Sequence, residues 1–364
     1  MVLWQSPLEG LVMQPKSDFW KGKRVLLTGH TGFKGAWLLW WLHRMGAHVT
    51  GMALSSDTQP SLFELLNGET LCDSLLVDIR DLHAVQNVVR QSQPEIVFHL
   101  AAQALVRTAY EQPAATFATN VLGTVHLLEA LRTYHAPRVV VAVTTDKVYH
   151  NREWHHPYRE CDPVGGLDPY SASKAACEIA INSYVASFLE NQGIALARAR
   201  AGNVIGGGDW SSNRLIPDAI RAWSKGGVLD IRRPDSVRPW QHVLEPLSAY
   251  LVLAEKLWQN PLLSDAYNFG PAPDQAANVR KVVTLAQQAY GQGESHFAST
   301  IEGPHEAGLL LLDNSKARCV LGVSPIWGLE KTVHRTLRWY RDLERGAKAD
   351  SLCRVDLDAF LEVL

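Results

Sequence analysis

Two side chains spaced four residues apart, Tyr170 and Lys174, could carry out acid–base chemistry. They open an alanine-rich segment of helical character, so they share one face of the predicted helix. A lysine ammonium beside a tyrosine favours the phenolate and lowers the pKa of the phenol from about 10 toward neutral. The pair therefore predicts a general base for an alcohol. A surface tyrosine and lysine are the alternative, because this spacing also arises by chance.

A second chemical signal is the glycine-rich turn that contains Gly29, Gly32 and Gly35. A strand-like run, residues 24–27, precedes it, and an apolar helical segment, residues 36–45, follows it. Glycines let the backbone approach a pyrophosphate, and the helix N-terminus adds positive potential there. The turn therefore predicts dinucleotide binding, and an ordinary turn between a strand and a helix is the alternative.

The choice between NAD and NADP depends on the next predicted strand, residues 47–54. An acid that binds the ribose hydroxyls of NAD usually follows about 20 residues after the glycines. Ser55 occupies that place, and Asp57 lies two residues further on. No Lys or Arg occurs from Met45 through Ile79, although a ribose 2′-phosphate normally needs a cation. The sequence therefore favours NAD.

Strand and helix patterns alternate through the first half of the chain. Strand-like runs at residues 75–78, 96–100 and 139–143 are separated by helical segments at residues 81–91 and 121–134. This order predicts an α/β fold with a doubly wound parallel sheet of the Rossmann type. Ligands of such sheets bind at the carboxyl ends of the strands. We therefore expect residues 78–79, 101–103 and 144–147 to lie along one rim.

Composition limits the function classes. The chain has 364 residues, with 35 Lys and Arg against 37 Asp and Glu and a net charge of −2, which does not suit a nucleic-acid binder. The five cysteines form no C-x-x-C pair, and the histidines at 155 and 156 complete no recognised ligand spacing, so no metal is predicted. No apolar run reaches about 18 residues. We expect a cytoplasmic protein that does not contact a membrane.

Longer motifs resemble the extended short-chain dehydrogenase/reductase superfamily from Phe19 to about Tyr340. Besides the Thr28–Gly35 turn and the Tyr170/Lys174 pair, Leu309–Gly322 is similar to the C-terminal signature of that superfamily. Within it the sequence resembles the CDP-glucose branch of the nucleotide-sugar 4,6-dehydratases. The segments that carry this likeness are Thr28–Gly35, Thr145–Lys147, Asn151–Trp154, Ala201–Trp210 and Arg238–Val243.

The resemblance implies a reaction. NAD-dependent oxidation at C4 of the sugar, elimination of water across C5 and C6, and hydride return to C6 would give a 4-keto-6-deoxy sugar. Tyr170 would take the proton of the 4-hydroxyl, and Thr145 would hydrogen-bond the same oxygen. Asp146 would be the acid at the 6-hydroxyl and Lys147 the base at C5, or Lys147 would stay cationic and stabilise the enolate. Epimerases of this fold usually have a small, non-acidic residue at the position of Asp146.

The resemblance also implies binding residues and partners. The substrate would be a nucleotide sugar, CDP-glucose, and the protein would form a homodimer or a higher homo-oligomer. The cofactor-binding residues would be Gly29, Thr31, Gly32, Phe33, Gly35, Asp78, Ile79, Leu100, Ala101, Ala102, Gln103, Asn120, Tyr170 and Lys174. The substrate-binding residues would be Asn203, Arg214, Leu215, Arg232, Arg238, Trp240, Gln241 and His242, with Arg233 and Trp210 as further candidates.

A division of the chain follows from the same likeness. Residues 1–17 are predicted to be an N-terminal extension, of which Met1–Val12 is dispensable. Residues 18–200 would form the NAD-binding Rossmann domain, and 201–232 with 273–345 a smaller interleaved α/β substrate-binding lobe. Residues 233–272 would return to the Rossmann domain, and no function is assigned to residues 346–364. The alternatives are a dehydratase or epimerase acting on another nucleotide sugar, and a non-catalytic NAD-binding protein.

Overall fold

A computed structural model describes residues 12–134, 137–299 and 307–362. The strands are β1 (Arg24–Thr28), β2 (His48–Ala53), β3 (Asp73–Leu76), β4 (Ile96–His99), β5 (Val139–Val143), β6 (Ala195–Ala201), β7 (Val204–Ile205), β8 (Val228–Ile231), β9 (Val237–Arg238), β10 (Gln241–His242), β11 (Ala266–Phe269), β12 (Ala277–Asn278) and β13 (Glu294–Phe297). The α-helices are α1 (Ser17–Trp20), α2 (Phe33–Arg44), α3 (Leu62–Leu65), α4 (Leu82–Ser92), α5 (Val106–Glu111), α6 (Pro113–Phe117), α7 (Gly123–Tyr134), α8 (Pro169–Tyr184), α9 (Leu215–Trp223), α10 (Leu244–Gln259), α11 (Val279–Tyr290), α12 (Leu329–Glu344) and α13 (Ala349–Leu361).

Seven strands form one parallel sheet in the order β11-β6-β5-β4-β1-β2-β3. The chain moves outward from β1 in one direction through β2 and β3, and then in the other direction from β4 onward. The predicted doubly wound parallel sheet is confirmed. Its direction changes between β1 and β4, where folds of this class bind their ligands.

Helices cover both faces of this sheet, which explains why β5 near its centre is apolar throughout. All five residues of β5 are buried, as expected for a strand covered on both sides. Helices α4, α7 and α8 pack on one face. Helices α2 and α10 belong to the larger core on the other face, together with α12 and α13. The ends of the strands and the loops between them remain available for a site.

Smaller sheets join the segments that follow β6. Strand β8 pairs in parallel with β13, and β9 pairs antiparallel with β12. Strand β11 instead adds to the edge of the large sheet beside β6. Residues 228–231 and 294–297 are thus hydrogen-bonded to each other although 62 residues separate the two strands. The division of the chain into a Rossmann domain and an interleaved substrate-binding lobe stays a prediction.

Both ends of the described chain pack on the body of the protein. Residues 1–11, on which most of the predicted dispensable segment falls, lie outside the described residues. The Met13 amide donates to the Gly322 carbonyl at 2.9 Å, and the Lys16 amide donates to Glu255 Oε1 at 2.8 Å. At the other end, α13 buries Cys353 and Phe360 completely. One face of α13 is therefore part of the core.

The cysteines remain separate in the fold. All five are free, and two of them, Cys177 and Cys353, are buried. Within the described ranges, no three or more His, Cys, Asp or Glu side chains form a group that could hold a metal ion. None of the helices in those ranges combines the length and the apolar character needed to cross a membrane.

Candidate active site

One large cavity, about 860 Å³ in volume, opens at the carboxyl ends of the sheet strands. Its walls come from the loops after β1, β2, β4 and β5 and from the segment that follows β6. The predicted rim residues 78–79, 101–103 and 144–147 all line it. The structure therefore brings the two strongest sequence signals, the glycine turn and the Tyr170/Lys174 pair, to one site.

The glycine turn has a backbone that only glycine can form. Gly29 has a φ of +77°, in the left-handed region, and a Cβ there would lie 2.8 Å from the Ala101 amide nitrogen. A Cβ on Gly35 would lie 1.9 Å from the Gly29 carbonyl oxygen. The turn leads directly into α2, whose N-terminus faces the cavity and offers unpaired backbone N–H groups. This geometry fits the diphosphate of a dinucleotide.

The other predicted cofactor residues divide into two groups. Thr31, Gly32, Phe33, Asp78, Ile79 and Leu100–Gln103 line the cavity. Asn120 does not. Its side chain instead accepts from the Gln103 amide at 2.8 Å and donates to the Gln103 carbonyl at 3.0 Å, so it holds the loop after β4 from behind.

The end of the cavity beside β2 contains the residues that bear on the choice of cofactor. Ser55 and Asp57 both line it. Arg80 lines it as well, one residue beyond the cation-free span noted in the sequence. Its guanidinium contacts both carboxylate oxygens of Asp78 and lowers the pKa of that acid. Arg80 is therefore paired with Asp78. Asp57 remains as a carboxylate that can accept hydrogen bonds at this end of the cavity.

The catalytic pair lies at the start of α8, where Asp168 caps the helix by accepting from the Ser171 amide at 2.9 Å. The Thr145 side chain acts to lower the pKa of the Tyr170 phenol. Burial outweighs this effect and raises the pKa of Tyr170 to about 12, opposite to the lowering expected from the sequence. The Lys174 ammonium donates to the Val143 carbonyl at 3.2 Å, and burial lowers the pKa of Lys174.

Thr145, Asp146 and Lys147 begin a short helical turn directly after β5. The Thr145 hydroxyl donates to Asp146 Oδ1 at 2.9 Å, and the Lys147 ammonium lies 4.0 Å from the same oxygen. The other Asp146 oxygen is buried and has no hydrogen-bond partner. All three side chains line the cavity, so this free carboxylate oxygen can accept a hydrogen bond from a hydroxyl of a bound molecule.

Most of the predicted substrate residues also reach the cavity. Asn203, Arg214, Leu215, Arg232, Arg238 and Trp240 line it, as do Arg233 and Trp210. The Asn203 Oδ1 atom is buried without a partner, so it is a free acceptor in the wall. The Trp240 indole is only 6% exposed and donates to the Ala277 carbonyl, so most of this side chain belongs to the core.

Gln241 and His242 do not line the cavity, which corrects their prediction as substrate-binding residues. The Gln241 side-chain amide donates to the Phe269 carbonyl at 2.9 Å. His242 is completely buried with its ring 4.8 Å from that of Trp327. Both belong to β10, and the pairing of this strand with β7 directs them into the core.

Three cations of the cavity wall, Arg80, Lys34 and Arg107, were not predicted from the sequence. Lys34 lies inside the glycine turn, and its ammonium donates to the Tyr250 hydroxyl at 3.2 Å. Burial, with the charges of Arg214 and Lys174 nearby, lowers the pKa of Lys34 to about 7. Arg107 donates to Asn213 Oδ1 at 3.3 Å and so connects α5 to the segment before α9. Lys34 lies between two glycines and Arg107 lies in the short helix α5, and neither position gave a separate signal in the sequence.

Comparison with known proteins gives one clear relationship. The family model described as GDP-mannose 4,6 dehydratase matches residues 26–336. The chain is 48% identical over 335 residues to CDP-glucose 4,6-dehydratase of Salmonella typhimurium, covering 90% of this chain and 93% of that protein. It is 25% identical over 333 residues to UDP-glucose 4-epimerase of Mycoplasma pneumoniae, covering 88% and 97%.

Solved structures share the same fold. The structure of MoeE5 in complex with UDP-glucose and NAD matches with a TM-score of 0.75 and 24% identity, covering 89% of this chain and 100% of that one. At this identity the match describes the architecture alone.

Proposed function

Because the chain belongs to the GDP-mannose 4,6 dehydratase family, we propose that it is an NAD-dependent hydro-lyase that converts CDP-glucose to CDP-4-keto-6-deoxyglucose. The net change is loss of one water. Oxidation at C4 and reduction at C6 balance each other, so NAD is regenerated in every turnover.

The observation that carries this proposal is the convergence of Thr145, Asp146, Lys147, Tyr170 and Lys174 on one cavity. This set provides an alcohol base beside an acidic residue at the end of β5. An epimerase has no need of an acid to expel a hydroxyl. The nucleotide is proposed from the relative of 48% identity.

The cavity suits NAD as the resident cofactor. The glycine turn and the N-terminus of α2 would hold its diphosphate, and Asp57 is the acceptor available for its ribose hydroxyls. When bound, NAD supplies the hydride acceptor and donor of the reaction.

The chain's own residues then divide the proton transfers. Tyr170 takes the proton of the sugar 4-hydroxyl as phenolate, which requires its pKa to fall below the value of about 12 that burial gives it, and Thr145 orients the same oxygen. The ketone at C4 acidifies the proton on C5. Lys147 takes that proton, and Asp146 protonates the departing 6-hydroxyl. The guanidinium groups of Arg214, Arg232 and Arg238 would donate to the nucleotide diphosphate, and the Asn203 oxygen would accept from a hydroxyl or amino group of the nucleotide.

Mass spectrometry tests the proposal. The purified protein is incubated with NAD and CDP-glucose in deuterated water, and the product is expected to be lighter by one water and to carry one deuterium at C5. UDP-, dTDP- and GDP-glucose are compared under the same conditions, and CDP-glucose is expected to have the highest kcat/KM. The Tyr170→Phe variant is the matched control and should lose about 10²- to 10⁴-fold in kcat.

Other outcomes would identify the alternatives. A product of unchanged mass would indicate an epimerase, and faster turnover of another nucleotide sugar would indicate a dehydratase of different specificity. NAD binding without turnover of any of these sugars would favour a non-catalytic role.

We also propose that the protein is a homo-oligomer in the cytoplasm. Helices α6, α7 and α8 pack against one another and form a helical layer together with the adjoining segments Ala118–Leu122 and Val185–Leu189. Four apolar side chains of this layer are 38–61% exposed: Phe117, Leu122, Ile179 and Phe188. Covering these side chains with a second copy would remove apolar surface from water. The five free thiols suit a reducing compartment. Light scattering of the wild type and of Ile179→Glu tests the oligomer, and a monomeric wild type would contradict it.

A further inference from the structure

His99 ends β4 at the point where the sheet changes direction, and its ring is almost completely buried. Its Nδ1 atom lies 2.8 Å from the Thr28 hydroxyl, which directly precedes the glycine turn. Its Nε2 atom lies 2.9 Å from the Thr124 hydroxyl on α7. The ring therefore bridges the cofactor turn and the helical layer beneath the catalytic pair.

The neighbours of Thr28 determine the direction of the first hydrogen bond. The Thr28 hydroxyl oxygen accepts from the Leu100 amide at 3.1 Å and from the Ala101 amide at 3.0 Å. Both of its lone pairs are then occupied, so its proton is donated to His99 Nδ1. Nδ1 therefore carries no proton.

In the second hydrogen bond, between Nε2 and Thr124, the ring is the donor. The Thr124 hydroxyl donates to the Asn120 carbonyl at 2.7 Å, so it accepts at Nε2 of His99. Nε2 therefore carries the proton. A neutral ring agrees with the surroundings, because burial and the nearby charge of Lys174 lower the pKa of His99 to about 3.

Beyond Thr124 the contacts continue to the catalytic helix. The Asn120 side-chain amide donates to the Gln103 carbonyl at 3.0 Å and to the Ser173 hydroxyl at 2.9 Å. The Ser173 hydroxyl donates to the Tyr170 carbonyl at 2.7 Å. An unbroken series of buried hydrogen bonds thus connects the turn at Gly29 with the start of α8.

We propose that His99, as a neutral imidazole protonated on Nε2, is a positioning residue that fixes the spacing between the glycine turn and the helix bearing Tyr170 and Lys174. It acts through Thr28 and Thr124 and touches neither ligand. The inference rests on the proposed binding of NAD, because the spacing matters only if one molecule spans both elements.

Nitrogen NMR of the ¹⁵N-histidine-labelled full chain tests the protonation state without any assay of activity. The His99 signals are assigned by their loss in the His99→Gln variant. We expect the Nε2–H form, with no titration between about pH 5 and 9. A ring protonated on Nδ1, or one that titrates near its ordinary pKa, would overturn the assignment.

Two substitutions test the positioning role by NAD titration. His99→Leu removes both hydrogen bonds and should raise the Kd for NAD about tenfold. His99→Gln should restore most of the affinity, because its amide oxygen can accept from Thr28 and its amide N–H can donate to Thr124. His83→Leu on the exposed side of α4 is the control and should not change the Kd.

The outcomes separate this inference from the proposed function. A folded His99→Leu variant with the wild-type Kd and only a lower Tm would reduce His99 to a structural residue. If the leucine variant does not fold, the His99→Gln and His99→Asn variants are compared. Equal Kd values for NAD in these two variants, both far above the wild-type Kd, would also overturn the positioning role of His99. A wild type that binds no NAD would contradict the proposed function, while the NMR result would still decide the tautomer.

Discussion

The Lys147 ammonium lies 4.0 Å from Oδ1 of Asp146, a carboxylate that is 1% exposed. The two groups form an ion pair at a distance too long for a hydrogen bond. In the charged pair, Asp146 holds no proton to donate and Lys147 has no free electron pair. The proposed roles require the opposite distribution, with the proton on the carboxyl group and a free electron pair on the amine.

Replacement of Lys147 by methionine should separate the two halves of the reaction. Lys147→Met keeps Tyr170 and Lys174, so oxidation at C4 should proceed and enzyme-bound NADH should accumulate. Exchange of the C5 proton with deuterated solvent should stop, and kcat should fall about 10²- to 10⁴-fold. Absorbance of NADH and NMR of the sugar measure these effects.

Lys225→Met, at an exposed position outside the cavity wall, is the control and should keep native rates. Exchange at C5 near the native rate in Lys147→Met would mean that another group is the base. If no NADH forms, Lys147 acts earlier, in binding or oxidation.

The cofactor preference should depend on Asp57. We expect the wild type to bind NAD more tightly than NADP, because the carboxylate accepts from ribose hydroxyls and repels a 2′-phosphate. Asp57→Asn should reduce the difference between the Kd values for NAD and NADP. Titrations of both cofactors measure it, and equal or tighter binding of NADP to the wild type would refute the preference.

Two N-terminal truncations should differ sharply. Deleting Met1–Val12 should leave activity and Tm nearly unchanged. Deleting Met1–Lys16 removes the Lys16 amide that donates to the buried Glu255, so the free energy of unfolding should fall by about 1.5–3 kcal/mol. Urea unfolding measures both, and a large loss in the shorter deletion would show that residues 1–12 contribute to the fold.

Asp356 should make stability depend on pH. Burial, with a smaller contribution from the charge of Asp342, raises its pKa from 3.8 to about 7 against the opposing charges of Arg335, at 3.4 Å, and Arg338. The neutral His242 ring lies 3.9 Å away. Between about pH 4 and 7 the native state binds more protons than the unfolded state, so the free energy of unfolding falls as pH rises. Asp356→Asn should lose less stability than the wild type from pH 5 to 8. Parallel urea-unfolding profiles would contradict this.

The sequence alone determined the features that depend on a few neighbouring residues. The need for glycine at position 35 can be predicted locally, because the atoms that exclude a side chain there belong to the turn itself. The spacing of Tyr170 and Lys174 places both on one face of α8 wherever that helix lies. The apolar run at residues 139–143 required a strand covered on both faces, and the alternation of such strands with helices indicated the parallel sheet.

Only the tertiary structure decided what each side chain faces. Gln241 and His242 follow residues that line the cavity, yet the pairing of β10 with β7 buries them in the core. Arg80 reaches the cofactor end of the cavity although it lies beyond the strand that defines that end. The pKa of Tyr170 rises because distant segments enclose the phenol. Burial and electrostatics depend on which elements meet in space, and the spacing of residues along the chain does not contain that information.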